Sequence, residues 1–257
     1  MSSRRCPTSV KRLIVTADDV GLDRGMTAGA IEAHRHGIVT ACSIVANGRE
    51  FDDAVARLRD TPSLEVGVHL TVVEERALTT GAAMPRNYVR FLLSRPRNVE
   101  PELRAQIEKV LATGLRVTHL NSHQHLHLWP RIRRIVSRLA TEYSIGFVRV
   151  VSDRGGKKRR AAMWALNRVA AAAPGRTTIG VAEAGHLTAD RIIELLDFVD
   201  DTTELVTHPG VGVSGYPHWR YDWETETRAL CDMRVREAIA AHNIHLVAPS
   251  KIHSTGL

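Results

Sequence analysis

Thr118-His119-Leu120-Asn121-Ser122-His123-Gln124-His125-Leu126-His127 places four histidines within nine residues, at positions 119, 123, 125 and 127. Gly114-Leu115-Arg116-Val117 ahead of it reads as strand entry. Trp129-Pro130, followed by Arg131-Ile132-Arg133-Arg134-Ile135-Val136, reads as the start of a helix, with proline in its first turn. The histidines therefore fall where a β-strand ends and a loop turns into a helix. In α/β folds with parallel strands, that end of the strand is where active sites are built. Neutral imidazole is the commonest metal ligand among side chains. Alternate residues of an extended chain project to one side, which would put His123, His125 and His127 on a shared face. A single histidine here would most simply be structural or exposed; four at a strand end point to metal binding or catalysis.

The same placement recurs along the chain. Arg12 to Thr16 (RLIVT) is a short β-branched run suited to a buried strand, and it ends in Ala17-Asp18-Asp19-Val20-Gly21. Two adjacent carboxylates at the end of a buried strand are costly unless they bind a cation or move protons. Helix capping accounts for one at most, and Asp23 can cap the helix expected from Asp23 to His36, which stops at Gly37. Leu64 to Leu70 (LEVGVHL) carries His69 near its end, after the small Gly67. Glu204 to Thr207 (ELVT) runs into His208-Pro209-Gly210. Gly146 to Val151 (GFVRVV) is an apolar strand interrupted by Arg149, and an arginine so placed reaches an anion or a carboxylate. His34 and His36, by contrast, suit the C-terminus of the first helix.

Between these strands the chain alternates with helices. Val39 to Val45 is a second strand and Glu50 to Asp60 a second helix. Helices are also expected at Pro101–Thr113, Pro130–Tyr143, Lys157–Ala173, Thr188–Val199 and Glu224–His242, and a last strand at Ile244–Val247. Glu74–Asn98 and Gly212–Trp223 have no clear period and read as long loops over the strand ends, the second with four aromatics that suit sugar rings or simple loop packing. Some seven strand–helix alternations with reactive residues at successive strand ends define an α/β protein, a barrel or near-barrel of parallel strands with outer helices. An open doubly wound sheet is the alternative. The chain has neither a GxGxxG nor a Walker-type loop, which argues against a nucleotide enzyme. We expect a flexible N-terminus over 1–11, a single domain over 12–250 and a tail over 251–257.

The 257 residues carry a formal net charge of +7, with 44% hydrophobic and 25% charged residues, ordinary for a globular protein. The positive charge is diffuse apart from Lys157-Lys158-Arg159-Arg160, which is either a solvated loop or a contact for an anionic substrate or a membrane surface. No helix-turn-helix, zinc finger or aromatic-interleaved basic groove points to nucleic acid. Cys6, Cys42 and Cys231 are odd in number and far apart, so neither a disulfide framework nor a cysteine zinc site is expected. The chain has no apolar run of membrane-spanning length, and Met1 to Lys11 lacks the apolar core of a signal peptide, so a cytoplasmic protein is expected. Peripheral membrane contact and self-association stay open.

Val15-Thr16-Ala17-Asp18-Asp19-Val20-Gly21, Gly67-Val68-His69-Leu70, the histidine stretch and Thr207-His208-Pro209-Gly210 occur in the order and spacing of the YdjC/ChbG-type carbohydrate deacetylases. Ile38-Val39-Thr40 and Val45-Ala46-Asn47-Gly48 resemble that family's second strand and turn. The resemblance runs from about residue 12 to about 250. It implies a distorted (β/α) barrel of about seven parallel strands, and an enzyme that removes the acetyl group from N-acetylated sugars, with members acting on chitooligosaccharides and others associated with hopanoid lipid biosynthesis. It further implies Asp19, His69 and His123 as metal ligands, Asp18 as general base, His208 as the histidine of the His-Pro motif and Arg149 as the strand arginine. One position departs from the pattern: the family commonly has Asp where this chain has Asn121, a residue expected to support the ligands from outside.

The chemistry is coherent on the residues alone. One carboxylate and two imidazoles with open positions make a catalytic site for one divalent ion, Zn²⁺ or Mg²⁺. Such an ion polarises an acetamide carbonyl and acidifies water. Asp18 would take the water's proton, and His208 by preference, or His125 or His127, would protonate the leaving amine. The expected substrate is a small N-acetylated sugar or a glycolipid. Another hydrolase on the same barrel, or a sugar-binding protein without activity, are the alternatives.

Overall fold

The computed structural model describes residues 10–94, 98–152, 154–155 and 176–252. The basic run Lys157–Arg160, the helix expected at Lys157–Ala173 and most of both termini lie outside them.

The order of elements explains the topology. β1 (Lys11–Val20) is followed by α1 (Arg24–Arg35), β2 (Ala41–Ile44), α2 (Phe51–Arg59) and β3 (Glu65–Leu70). Then come α3 (Tyr88–Ser94), α4 (Glu100–Leu111), β4 (Val117–Ser122), α5 (Pro130–Glu142), β5 (Phe147–Val148) and β6 (Arg176–Ile179). α6 (Ala189–Leu196), β7 (Thr202–Thr207), α7 (Trp223–Cys231), α8 (Met233–Ala241) and β8 (Ile244–Leu246) complete the chain. Seven strands pair side by side in the order β5-β4-β3-β2-β1-β7-β6, and β8 pairs with the opening residues of β1. Each of these strand pairings is parallel. The sheet curls with helices outside it, so the expected barrel is present as a half-barrel. Its two edges approach beyond β5, where Arg154 donates its backbone N–H to the Thr178 carbonyl (2.8 Å) and Ser152 donates to Thr178 Oγ1 (2.7 Å).

β1 is central because it is buried on both faces. Leu13, Val15 and Ala17 join the main core beneath the helices, and each is fully buried. Alternate residues point inward. Ile14 packs with Phe147 and Ile252 at the floor, Thr16 Oγ1 donates to Glu204 Oε1 at 2.7 Å above it, and Asp18 lies at the top. The interior thus passes from apolar to charged along one strand. Burying each of the large aliphatic residues of this core contributes roughly 1.5–3 kcal/mol, and that core is what can hold charged groups out of water.

Four elements differ from expectation. α3 lies inside the stretch expected to be loop; it spans seven residues and buries only Phe91, so its period was too short to register. β6 was missed because Arg-Thr-Thr-Ile reads as polar. The helix expected over Glu224–His242 is two helices, broken at Asp232, whose carboxylate accepts from Arg234 N at 2.8 Å and caps α8. The histidine run is not extended after Ser122: His123–Leu128 forms a 3₁₀ turn kinked at Gln124 and His125, with φ of 52° and 55°.

Candidate active site

The C-terminal ends of the parallel strands bring the reactive residues together, and β1 does so by breaking its own pleat. Adjacent strand residues normally face opposite sides. Register against β2 shifts between Ala17 and Val20, and Asp19 takes φ 65°, a left-handed conformation that Asp adopts more readily than most residues. This bulge puts Asp18 and Asp19 in one site.

Asp18 is buried (2% exposed) and fully engaged on one oxygen. Its Oδ1 accepts from Ser43 Oγ (2.6 Å), Asn121 Nδ2 (2.9 Å) and Arg149 Nη2 (2.9 Å), while Oδ2 accepts Arg149 Nη1 (2.5 Å). Arg149 also donates to Glu204 Oε1 at 2.9 Å, bridging two buried carboxylates. Burial alone would raise the Asp18 carboxyl, but the Arg149 guanidinium and the nearby His69 and His208 together outweigh it and hold the group well below the ordinary carboxylate range.

Asn121 fixes a tautomer. Its Nδ2 donates to Asp18 Oδ1 and to Ser43 Oγ (2.9 Å), so its Oδ1 is the atom that meets His69 Nδ1 at 2.7 Å. An amide oxygen only accepts, so the proton of His69 sits on Nδ1. With Nδ1 held by Asn121, Nε2 is the His69 atom left facing Asp19 Oδ1, 3.2 Å away, where it can turn to a cation shared with that carboxylate. His123 meets the same Asp19 Oδ1 through Nδ1 at 3.1 Å. One ligand atom from each of Asp19, His69 and His123 lies within 4.8 Å of the others, a carboxylate and two imidazoles suited to a divalent ion. Burial would lower His123, yet Asp19 and then Glu74 push it up to about 10, so an imidazolium stands in for the cation when none is bound. Ion uptake would release that proton.

The other histidines separate. His127 is 1% exposed, with Nδ1 on Ser122 Oγ (2.7 Å) and Nε2 on the Arg149 carbonyl (3.1 Å); both nitrogens are spoken for. His119 lies beneath the site against Gly67, where a Cβ would sit 2.4 Å from its ring. The shared face expected for His123, His125 and His127 is therefore absent, because the 3₁₀ turn aims them differently. His125 Nδ1 and His208 Nδ1 are buried and have no hydrogen-bond partner among the described residues. His208 Nε2 lies 3.8 Å from Asp19 Oδ2, and burial holds the ring below its ordinary range against the pull of Asp19 and Asp18.

Four contributors went unread in the sequence. Ser43 was visible as the one hydroxyl in Ala41–Ile44, and Glu204 as a charge in a buried strand. Glu226 Oε1 accepts the His208 backbone N–H (2.6 Å) and Oε2 that of Leu187 (3.2 Å), from a helix position with no distinguishing signal. Glu74, in a stretch with no period, accepts from Gln124 Nε2 (3.1 Å) and the Trp219 indole N–H (3.1 Å). The loop aromatics pack on one another at a tilt: Tyr216 lies 4.6 Å from Trp219 and Trp219 5.6 Å from Tyr221, between ring centroids.

The fold and this cluster define a parallel (β/α) half-barrel with a carboxylate–imidazole site at its strand ends. The chain belongs to the YdjC-like protein family, whose model matches residues 12–241. It is 32% identical to a carbohydrate deacetylase of Brevibacillus brevis, over 94% of this chain and 99% of that one. A protein of Enterococcus faecalis described as a cellobiose-phosphate cleavage protein superposes with a TM-score of 0.76 at 23% identity, over 95% of this chain and 100% of the other. A family 4 carbohydrate esterase of Streptomyces lividans, in complex with acetate, shares the fold at a TM-score of 0.50 and 12% identity, over 97% and 99% of the two chains.

Proposed function

We propose that this chain is a carbohydrate deacetylase that hydrolyses the acetamide of an N-acetylated amino sugar, with one divalent ion, Zn²⁺ or Mg²⁺, held by Asp19, His69 and His123. The observation that carries this is the convergence of His69 Nε2 and His123 Nδ1 on Asp19 Oδ1, with His69 Nδ1 held by the Asn121 oxygen. Relatives named carbohydrate deacetylase support the reaction class.

Water adds to the acetyl carbonyl, the C–N bond breaks, and acetate and a free amine leave. A bound ion supplies Lewis acidity to the carbonyl and to the water. Asp18 receives the water's proton through Oδ2, the oxygen that carries a single donor. Arg149 keeps Asp18 ionised, at the cost of making it a weak base at rest. His208 is the proton donor to the amine: it keeps an unpaired ring nitrogen, and Glu226 fixes its backbone. Negative charge gathering at the carbonyl raises the proton affinity of the His208 ring, which takes up the proton that Asp18 received and passes it to the nitrogen as the amine departs. Asn121 holds His69, and His127 supports the loop.

The test is free-amine release from a panel of N-acetylated sugars and glycolipids, by ion-free protein and by protein given Zn²⁺ or Mg²⁺. Ion-dependent release is expected; no release from any member with one bound ion overturns the reading. A neutral oligosaccharide is the simplest substrate. An anionic or membrane-borne one would show KM rising with salt, because screening acts beyond about 8–10 Å.

A further inference from the structure

Two consecutive glutamates after β3 reach over the mouth of the site. Glu74 has φ 68°, a conformation a non-glycine residue holds only when its surroundings fix it. Its Oε1 accepts from Gln124 Nε2 at 3.1 Å, in the histidine turn. Its Oε2 accepts from the Trp219 indole N–H at 3.1 Å, in the aromatic segment. The same Oε2 faces His123 Nε2 at 3.4 Å, on the opposite side of the ring from Asp19, an ion-pair distance at which the buried Nε2 makes no hydrogen bond among the described residues. Glu75 accepts from the Tyr216 hydroxyl at 2.6 Å. Trp219 stacks on His123, with centroids 5.1 Å apart and planes at 26°. One carboxylate therefore touches a candidate ion ligand and the loop segment that lies on that ligand's face.

We propose that Glu74 is a positioning residue that transmits occupancy of the ion site to the aromatic segment Tyr216–Trp223, so that the ion sets the loop that receives the sugar. This rests on the reading of Asp19, His69 and His123 as ion ligands. Were His123 to hold the ion through Nδ1, its single proton would sit on Nε2, and closing the 3.4 Å to Glu74 Oε2 would let the ring donate it. A carboxylate behind a ligand histidine fixes its ring and raises its basicity. The ring so fixed is the surface on which Trp219 lies, and Glu74 holds the indole N–H as well. Coupling is reciprocal: if the ion orders the segment, the ordered segment tightens the ion.

Ion-free wild type, Glu74→Gln and Trp219→Phe are titrated with Zn²⁺ by calorimetry and by tryptophan emission, after their ion-free melting temperatures establish that each is folded. Wild type is expected to bind one ion with an emission change that Trp219→Phe lacks. Glu74→Gln is expected to bind about ten- to a hundredfold more weakly, and to show no such change at saturating Zn²⁺. Its KM for an N-acetylated sugar should rise more than its kcat falls. Trp219→Phe, which leaves the carboxylate in place, should weaken the ion severalfold, and it carries the test if Glu74→Gln does not fold. Glu74→Gln with wild-type affinity, or with weakened affinity but an intact emission change, overturns the coupling and leaves the ion site standing. Wild type that takes up no ion overturns both.

Discussion

Arg149 and Asp18 are 131 positions apart and share two hydrogen bonds, Nη1 to Oδ2 at 2.5 Å and Nη2 to Oδ1 at 2.9 Å, with both side chains out of water. The same guanidinium holds Glu204. Arg149→Met would leave two carboxylates buried without a cation. Breaking a buried pair costs about 3–5 kcal/mol, and urea unfolding should show a loss of that size. Asp18→Asn leaves Arg149 paired with Glu204, so its stability should change far less and its ion uptake hardly at all. Turnover should fall by roughly 10²–10⁴, the size of a general-base contribution. Full activity in Asp18→Asn would reduce Asp18 to a structural partner of Arg149.

His127 and His208 should part company under substitution. His127 spends both ring nitrogens on Ser122 and Arg149, whereas His208 Nδ1 has no partner among the described residues. His127→Ala should lower the melting temperature, because it strands the buried Arg149 carbonyl at about 1–3 kcal/mol and takes one partner from the Ser122 hydroxyl. His208→Ala should keep the fold and lose roughly 10²–10⁴ in kcat. The reverse pattern would move the proton donor to His127.

Acid should unfold the ion-free chain early. Burial, then Arg149, push His119 and His127 down to about 3 from an unfolded value near 6.5. The folded chain resists protonating these rings and the unfolded chain does not. Their contribution is therefore complete above pH 6.5 and drains away as pH falls toward 3. Melting temperatures of ion-free wild type between pH 8 and 4 should drop more steeply than those of His127→Asn. Parallel curves would show that His127 does not contribute.

Gly67→Ala should destabilise despite lying in a strand, where a side chain usually helps. The added Cβ would meet the His119 ring at 2.4 Å, and overpacking of this kind costs about 1–3 kcal/mol. The ring stands under Asn121 in the same strand, so ion affinity should fall along with stability. An unchanged denaturation midpoint would mean that His119 has room to move.

The repeating features of the chain were legible because periodicity and strand-end chemistry are local. RLIVT followed by Asp-Asp, and a histidine after Gly-Val, announce buried strands that end in reactive groups. Family resemblance then put Asp19, His69 and His123 together as candidate ligands, and the structure brings their ligand atoms within 4.8 Å of one another. What stayed hidden depended on backbone conformation or on distant partners. Extended geometry was assumed for His123–His127, and the 3₁₀ turn with φ of 52° and 55° at its kink denied it. Asn121 is expected from the sequence only to support the ligands from outside; its value lies in supplying donor and acceptor at once, which requires Asp18, Ser43 and His69 to be in place. Glu74 sat in a loop with no period, and its role depends on Trp219, 145 residues away.

The left-handed turn at Asp19 also limits what evolution can write there. Glycine, asparagine and aspartate take φ near 65° cheaply, and of these only aspartate brings a charge. A longer acid would add backbone strain to a changed reach. Position 19 is in effect frozen, and variation among descendants of this chain is channelled to the aromatic segment. That segment lies in a loop, where substitutions are absorbed most easily, so a new substrate can be acquired there without rebuilding the strand ends.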